Sequence, residues 1–120
     1  MRKFIYILSC SMVLLLSSCV QKTKNQVIHI SVDTRGASEL NSLEVRGGLP
    51  PLSWKEGLIL TDSDSNGIYT GTVTLDIPYK YVELKFVKNG DIYELEGQPN
   101  RQVYFDEDGK TNYEATFNKM

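Results

Sequence analysis

Few residues of this 120-residue chain could carry chemistry, and they do not assemble a catalytic centre. His29 is the single histidine, and both cysteines, Cys10 and Cys19, lie near the amino terminus. A catalytic triad needs a base beside its nucleophile, and a zinc site needs three or four protein ligands, so one histidine supplies neither. We therefore interpret His29 as a structural or exposed residue and expect no metal or other cofactor.

The carboxylates do not form a catalytic pair either. Hydrolysis of a glycosidic bond needs two carboxyl groups about 5 to 9 Å apart across a cleft, and the loops of so small a domain are too short to build one. The acidic residues within 94–96 and 106–108 are therefore interpreted as solvated turn charges. The chain is predicted not to be an enzyme.

Residues 62–67 reproduce the first half of a calcium-binding loop, with Asp62, Asp64, Asn66 and Gly67 at the required spacing. The second half is missing, because Val73 stands where such a loop needs a bidentate glutamate. Asp, Ser, Asn and Gly are also the commonest turn residues, so this segment is predicted to be a turn between two strands.

Trp54 is the only tryptophan, and it lies in an irregular segment, residues 49–57, that contains two adjacent prolines. A large aromatic side chain in such a loop is either a plug over the edge of the core or a flat platform for a ligand. Its position alone leaves both alternatives open. Pyranose rings present apolar C–H faces that suit a platform of this kind.

The amino-terminal segment has the layout of a secretory signal. Two basic residues open it, and an apolar run follows over residues 4–16, about thirteen residues where a transmembrane helix needs about twenty. The closing sequence LSSC (16–19) resembles the lipobox of bacterial lipoproteins, which implies removal of residues 1–18 and lipidation of Cys19. An ordinary secretory cleavage that leaves a cysteine is the alternative. Lipidation implies a stable anchor in the cell envelope, in the outer membrane if the source is Gram-negative.

Removal of residues 1–18 deletes two of the 13 basic residues and none of the 15 acidic ones, which leaves a net charge of about −4. Duplex binding needs a clustered basic surface, so nucleic acid is excluded as a partner. With one remaining cysteine, no internal disulfide can form. Residues 19–26 are interpreted as the lipidated cysteine and its tether, and residues 27–120 as one folded domain.

From Val27 onward apolar residues alternate with polar ones, and no helical period persists over three turns. About seven or eight short strands with regular turns predict an all-β fold, an antiparallel two-sheet β-sandwich of the immunoglobulin-like type. Asn89 and Gly90 fit both positive-φ positions of a type I′ turn, so residues 82–88 should pair with residues 91–95. A turn at 106–109 predicts a final hairpin between the strands on either side of it.

Four segments between Val45 and Arg101 resemble, in order, a starch-binding domain of carbohydrate-binding module family 20. Their order and spacing make the resemblance more specific than any single motif. It implies a starch-binding-domain-like sandwich that binds α-glucan without catalysis. The segments are VRGGLPPLSW (45–54), GIYTGTVTL (67–75), VELKFVKNG (82–90) and YELEGQPNR (93–101).

The resemblance also implies which side chains hold the sugar. Trp54 and Tyr93 would be the two stacking platforms, and Lys85 and Asn100 would form hydrogen bonds with hydroxyl groups at the rim. Glu94 and Arg101, in the same segment as Tyr93, are expected to be structural.

Two departures from the family pattern shape the expected function. The family usually has tryptophan where Tyr93 stands, so the affinity should be weaker or the ligand different, and the tyrosines of the family's second site are not matched, so one site is expected. The expectation is a membrane-tethered module for starch, glycogen or a maltooligosaccharide, with glycan-processing enzymes on other chains as candidate partners. The alternative is a protein-interaction accessory module of an envelope assembly, in which Trp54 anchors a protein partner.

Overall fold

The protein was analysed as a computed structural model that describes residues 22–120. Cys19 and the signal segment lie outside this range. No helix within the described range is long and apolar enough to span a membrane. The described chain forms eight strands: β1 (Lys24–Asp33), β2 (Leu43–Gly47), β3 (Leu58–Leu60), β4 (Ile68–Ile77), β5 (Tyr81–Lys88), β6 (Ile92–Tyr93), β7 (Arg101–Tyr104) and β8 (Lys110–Thr116).

The strands form two sheets, which confirms the predicted two-sheet sandwich. The three-stranded sheet has the order β4-β1-β8, and the five-stranded sheet has the order β3-β2-β5-β6, with β7 also paired to β5. All pairs are antiparallel except β1 and β8, which run parallel. One edge of β5 is thus occupied by β2, and the other is shared between β6 and β7.

The core lies between the two sheets and is built by alternation along the strands. In β1, the side chains of Ile28, Ile30 and Val32 are buried, whereas His29 points to solvent. Full burial of an aliphatic side chain contributes about 1.5 to 3 kcal/mol, so these residues hold the sheets together. The other buried members of the core are Leu43, Val45, Leu52, Leu60, Val73, Leu75, Ile77, Val82, Leu84, Phe86 and Val103.

The turn predicted between β5 and β6 is confirmed. Asn89 and Gly90 have φ values of 55° and 81°, and the Asp91 nitrogen donates to the Lys88 carbonyl at 3.3 Å. The strand pairing beyond the turn is shorter than predicted, because β6 has only two residues and β7 takes over the same edge of β5. At the other end of the chain, β1 begins at Lys24, so residues 24–26, predicted as tether, belong to the sheet.

The predicted final hairpin is wrong. Its turn exists, since the Gly109 nitrogen donates to the Asp106 carbonyl at 3.0 Å. However, β7 pairs with β5 in one sheet and β8 pairs with β1 in the other. The turn therefore carries the chain from one sheet to the other, and this crossing makes β8 run parallel to β1.

The acidic segment that resembles half a calcium loop is a turn, as predicted. Both carboxylate oxygens of Asp62 accept backbone hydrogen bonds, from Asn66 at 3.1 Å and from Gly67 at 2.8 Å. Gly67 has a φ of 86°, a conformation that favours glycine. Within residues 22–120, no three His, Cys, Asp or Glu side chains are grouped to hold a metal ion.

Candidate functional site

The outer faces of the two sheets differ in chemistry. The three-stranded sheet presents short polar side chains, among them His29, Ser31, Thr72 and Asn112. The five-stranded sheet presents aromatic and charged side chains, and paired residues of antiparallel strands share a face. From one end of that face to the other, the paired residues are Ile59, Glu44, Val87 and Tyr93, then Arg46 and Lys85, then Glu83 and Gln102, and last Tyr81 and Tyr104.

Trp54 lies in the loop between β2 and β3, and its side chain is 37% exposed. It is not among the buried residues of the core. Leu52, from the same loop, is buried with the core residues of both sheets. The loop is fixed at its base, where the Gly48 nitrogen donates to the Glu83 carbonyl at 3.2 Å. A buried leucine two residues before the tryptophan thus leaves the indole ring at the surface.

Tyr93 lies on the same side of the molecule as Trp54 and contacts its backbone. The Tyr93 hydroxyl donates to the Trp54 carbonyl at 2.7 Å, and the side chain is 38% exposed. Its neighbour across the strands, Val87, also points to the outer face and is fully buried. The tyrosine thus sits over a packed apolar base with part of its ring open to solvent.

Arg46 fixes the orientation of Tyr93, and the sequence analysis did not single it out. Its guanidinium donates to the Tyr93 hydroxyl at 2.9 Å and to the Gly90 carbonyl at 2.9 Å, and it pairs with Glu44. The guanidinium carbon lies 5.3 Å from the centre of the Tyr93 ring. The pKa of Arg46 is raised, and the hydrogen bond with Tyr93 is the main cause. Burial acts in the opposite direction, whereas Glu44 adds to the increase in this pKa.

Lys85 pairs with Arg46 across the strands, but its amine is engaged with the protein. The Lys85 Nζ donates to the carbonyls of Leu95 at 3.1 Å and Gln98 at 3.0 Å. An ammonium group has three donors, so one remains for a ligand. Lys85 therefore holds the loop after β6 in place, and its expected contact with a sugar hydroxyl remains a prediction.

Asn100 is half-buried at the end of the same loop. Its side-chain nitrogen donates to Glu83 at 3.2 Å, and Glu83 lies on the outer face two residues along β5 from Lys85. The structure therefore brings the four predicted site residues to one face, with Trp54 and Tyr93 in direct contact and Lys85 and Asn100 beside them. Their roles in binding remain predictions.

Glu94 and Arg101 form a buried ion pair, as expected for structural residues. They are 1% and 5% exposed, and two hydrogen bonds of 2.7 Å join them. The interpretation of Glu94 as a solvated turn charge is therefore wrong. Burial alone lowers the pKa of Arg101, but hydrogen bonds with Glu94 and Tyr113 more than offset it, so this pKa is raised.

Comparison with known proteins supports the class of fold. No protein-family model matches the chain, and no curated protein matches it. Among solved structures, it resembles CBM25-2, a carbohydrate-binding module of a β/α-amylase from Paenibacillus polymyxa, with a TM-score of 0.50 and 15% identity over 76% of this chain and 82% of that one. The likeness shows a β-sandwich fold shared with a carbohydrate-binding module. Its family number is 25, whereas the sequence segments resemble family 20.

Proposed function

We propose that the protein binds an α-glucan, such as starch, glycogen or a maltooligosaccharide, and catalyses no reaction on it. One observation carries this proposal. Trp54 and Tyr93 are both partly exposed on one face of the sandwich, and the Tyr93 hydroxyl donates to the backbone carbonyl of Trp54 at 2.7 Å. Two partly exposed aromatic side chains on neighbouring segments offer stacking surfaces for hexose rings.

The polar groups around the rings suit the rim of a sugar. Lys85 and Asn100 have donor groups on this face, and Glu83 has acceptor oxygens there, whereas Arg46 is engaged with Glu44, Tyr93 and backbone carbonyls. A shallow site with two stacked rings and few hydrogen bonds should bind weakly, with a dissociation constant of about 10 μM to 1 mM. The likeness to an amylase-borne carbohydrate-binding module and the resemblance to family 20 support the same ligand class.

The proposal extends to the location of the domain. Lipidation of Cys19 would hold the sandwich at the cell envelope through a short polar tether. The glucan would then be kept close to the membrane, where glycan-processing enzymes on other chains could act on it.

Trp54→Ala tests the proposed site. We expect the variant to lose retardation on a native gel that contains starch, because the larger of the two platforms is removed. The side chain is partly exposed and outside the core, so the thermal transition should move by no more than about 4 °C.

Ile92→Ala is the matched control, since Ile92 precedes Tyr93 in the same strand and is also exposed. It should keep wild-type retardation. If Trp54→Ala migrates like the wild type on starch, the Trp54 site does not bind glucan. If it unfolds, the tryptophan is part of the core and the proposed platform is wrong.

The alternative, a protein-binding module, makes a different prediction for the same surface. Tryptophan and tyrosine are also the residues that dominate protein interfaces, so residue type does not separate the two. A pull-down from envelope extract with and without maltoheptaose does. A partner lost in Trp54→Ala and unaffected by maltoheptaose would favour the interaction module.

A further inference from the structure

A second pair of aromatic side chains lies at the far end of the same outer face. Tyr81 in β5 and Tyr104 in β7 are paired residues, with ring centres 5.1 Å apart and planes inclined by 31°. They are 39% and 61% exposed, and neither belongs to the core. Offset, inclined rings of this kind are a favourable aromatic arrangement, and here the pair faces solvent.

A groove lies beside Tyr81, one member of this pair. Its volume is about 240 Å³, and its lining includes Gly48, Leu49, Tyr79 and Tyr81. Gly48 also faces Trp54, because a Cβ atom placed on this glycine would lie 3.5 Å from the indole Nε1. Gly48 thus borders both the groove and the indole ring, and Tyr81 belongs both to the groove and to the tyrosine pair.

The spacing of the aromatic groups suits a chain of sugars and not a single ring. Along β5, Val87, which pairs with Tyr93, lies six positions after Tyr81, a distance of about 20 Å at ~3.3 Å per residue. Lys85 and Glu83 point outward between them. Aromatic side chains therefore lie at both ends of the face, with polar side chains between them. A glucan chain likewise offers apolar ring faces for stacking and hydroxyl groups for hydrogen bonds.

We propose that Tyr81 and Tyr104 form a second platform that binds further hexose units of the same α-glucan chain held by Trp54 and Tyr93. This inference rests on the proposed function and extends it: the ligand is a chain, and the protein has one long site along the face. Only ligands long enough to reach from Trp54 to the tyrosine pair gain from the second platform.

Titration calorimetry on the full chain with maltotriose and maltoheptaose tests this inference. In the double variant Tyr81→Ala/Tyr104→Ala, we expect the affinity for maltoheptaose to fall about threefold to tenfold, the effect of losing one stacking contact. The affinity for maltotriose should not change, because this short sugar occupies only the platform of Trp54 and Tyr93. A longer sugar also has a higher apparent affinity for a single site, because it can bind that site in several registers. The decisive comparison is therefore between variant and wild type for each sugar.

Two further variants control for structure. Tyr81→Phe/Tyr104→Phe keeps both rings and should keep most of the affinity for maltoheptaose. Tyr104→Ala alone changes the more exposed residue and gives the same test if the double variant does not fold. Ile92→Ala, whose exposed side chain alternates with Tyr93 in β6, is an apolar control that should bind like the wild type.

The outcomes separate this inference from the proposed function. If the wild type binds maltotriose and the double variant keeps full affinity for maltoheptaose, the second platform is wrong and the first site stands. If the wild type binds neither sugar, both proposals fail. If the variant loses only self-association in sedimentation experiments, the tyrosine pair is an interface between copies of the chain, and the inference is overturned.

Discussion

At the scale of residues, a buried ion pair positions two members of the proposed site. Tyr93 directly precedes Glu94, and Asn100 directly precedes Arg101. Glu94 also accepts a hydrogen bond from the Phe86 nitrogen at 2.9 Å, which ties it to β5. Since both partners are almost fully buried, the backbone on either side of the loop at 95–100 is fixed. The pair thus supports the proposed site through the backbone.

Arg101→Met tests the importance of this pair. The variant leaves Glu94 buried without its partner, which typically lowers the free energy of unfolding by about 3 to 5 kcal/mol. Urea denaturation measures this loss. The double variant Glu94→Leu/Arg101→Met removes both charges and should recover part of the stability. A single variant within about 1 kcal/mol of the wild type would show that the pair is not needed for folding.

The site residues were predictable from the sequence only in part. The resemblance to family 20 pointed to Trp54 and Tyr93, but the exposure of Trp54 depends on Leu52 occupying the core, which no local pattern reveals. Arg46 was missed because the partners that place it at the proposed site, Tyr93 and Gly90, are 47 and 44 residues away in sequence. The alternation of β2 could have shown that Arg46 points outward. However, its proximity to Tyr93 can be inferred only once β2 is known to pair with β5.

At the scale of elements, local turn chemistry was predictable and strand partners were not. The turn at Asn89 and Gly90 follows from two residues that tolerate positive φ. The turn at 106–109 is equally clear, yet it joins strands in different sheets. A turn reverses the direction of the chain, but it does not decide which strand the next segment pairs with. That choice depends on how the apolar side of the strand packs in the core. The final hairpin was wrong for this reason.

Gly47→Ala tests how strictly β2 positions the loop of Trp54. A Cβ at this position would lie 2.8 Å from both the Glu83 carbonyl oxygen and the Leu52 Cδ1. Because the carbonyl belongs to the backbone of β5, the loop has to shift. We expect a loss of about 1 to 3 kcal/mol of stability, measured by urea denaturation, and weaker retardation on starch gels.

Gly36→Ala is the control, since a Cβ there meets no atom within 4 Å. It should match the wild type in both assays. Wild-type stability and retardation in Gly47→Ala would show that the loop adapts and that its position does not depend on this close contact.

At the scale of the whole molecule, the outer faces of the two sheets differ in chemistry. The five-stranded sheet presents the aromatic face, and the three-stranded sheet, whose outer face is polar, contains β1, the strand nearest the amino terminus. The proposed ligand and the proposed anchor are thus attached to different sheets of one core. Neither should interfere with the other.

Cys19→Ala tests this separation. If Cys19 is lipidated, the variant should move from the membrane fraction to the aqueous fraction and lose incorporation of labelled palmitate. Its affinity for maltoheptaose should equal that of the wild type. Trp54→Ala is the reciprocal control, because it should stay in the membrane fraction. A Cys19→Ala protein that remains with membranes would contradict the lipid anchor.

The central place of β1 in its sheet has a mechanical consequence. β1 is bonded to β4 along its whole length and to β8 over residues 27–33. Hydrogen bonds between strands lie across the strand direction, so tension along the amino-terminal chain shears both ladders together, whereas an edge strand can peel away one bond at a time. If the domain is anchored through its amino terminus and binds a polymer, as proposed, drag on that polymer would load both ladders of β1 in shear.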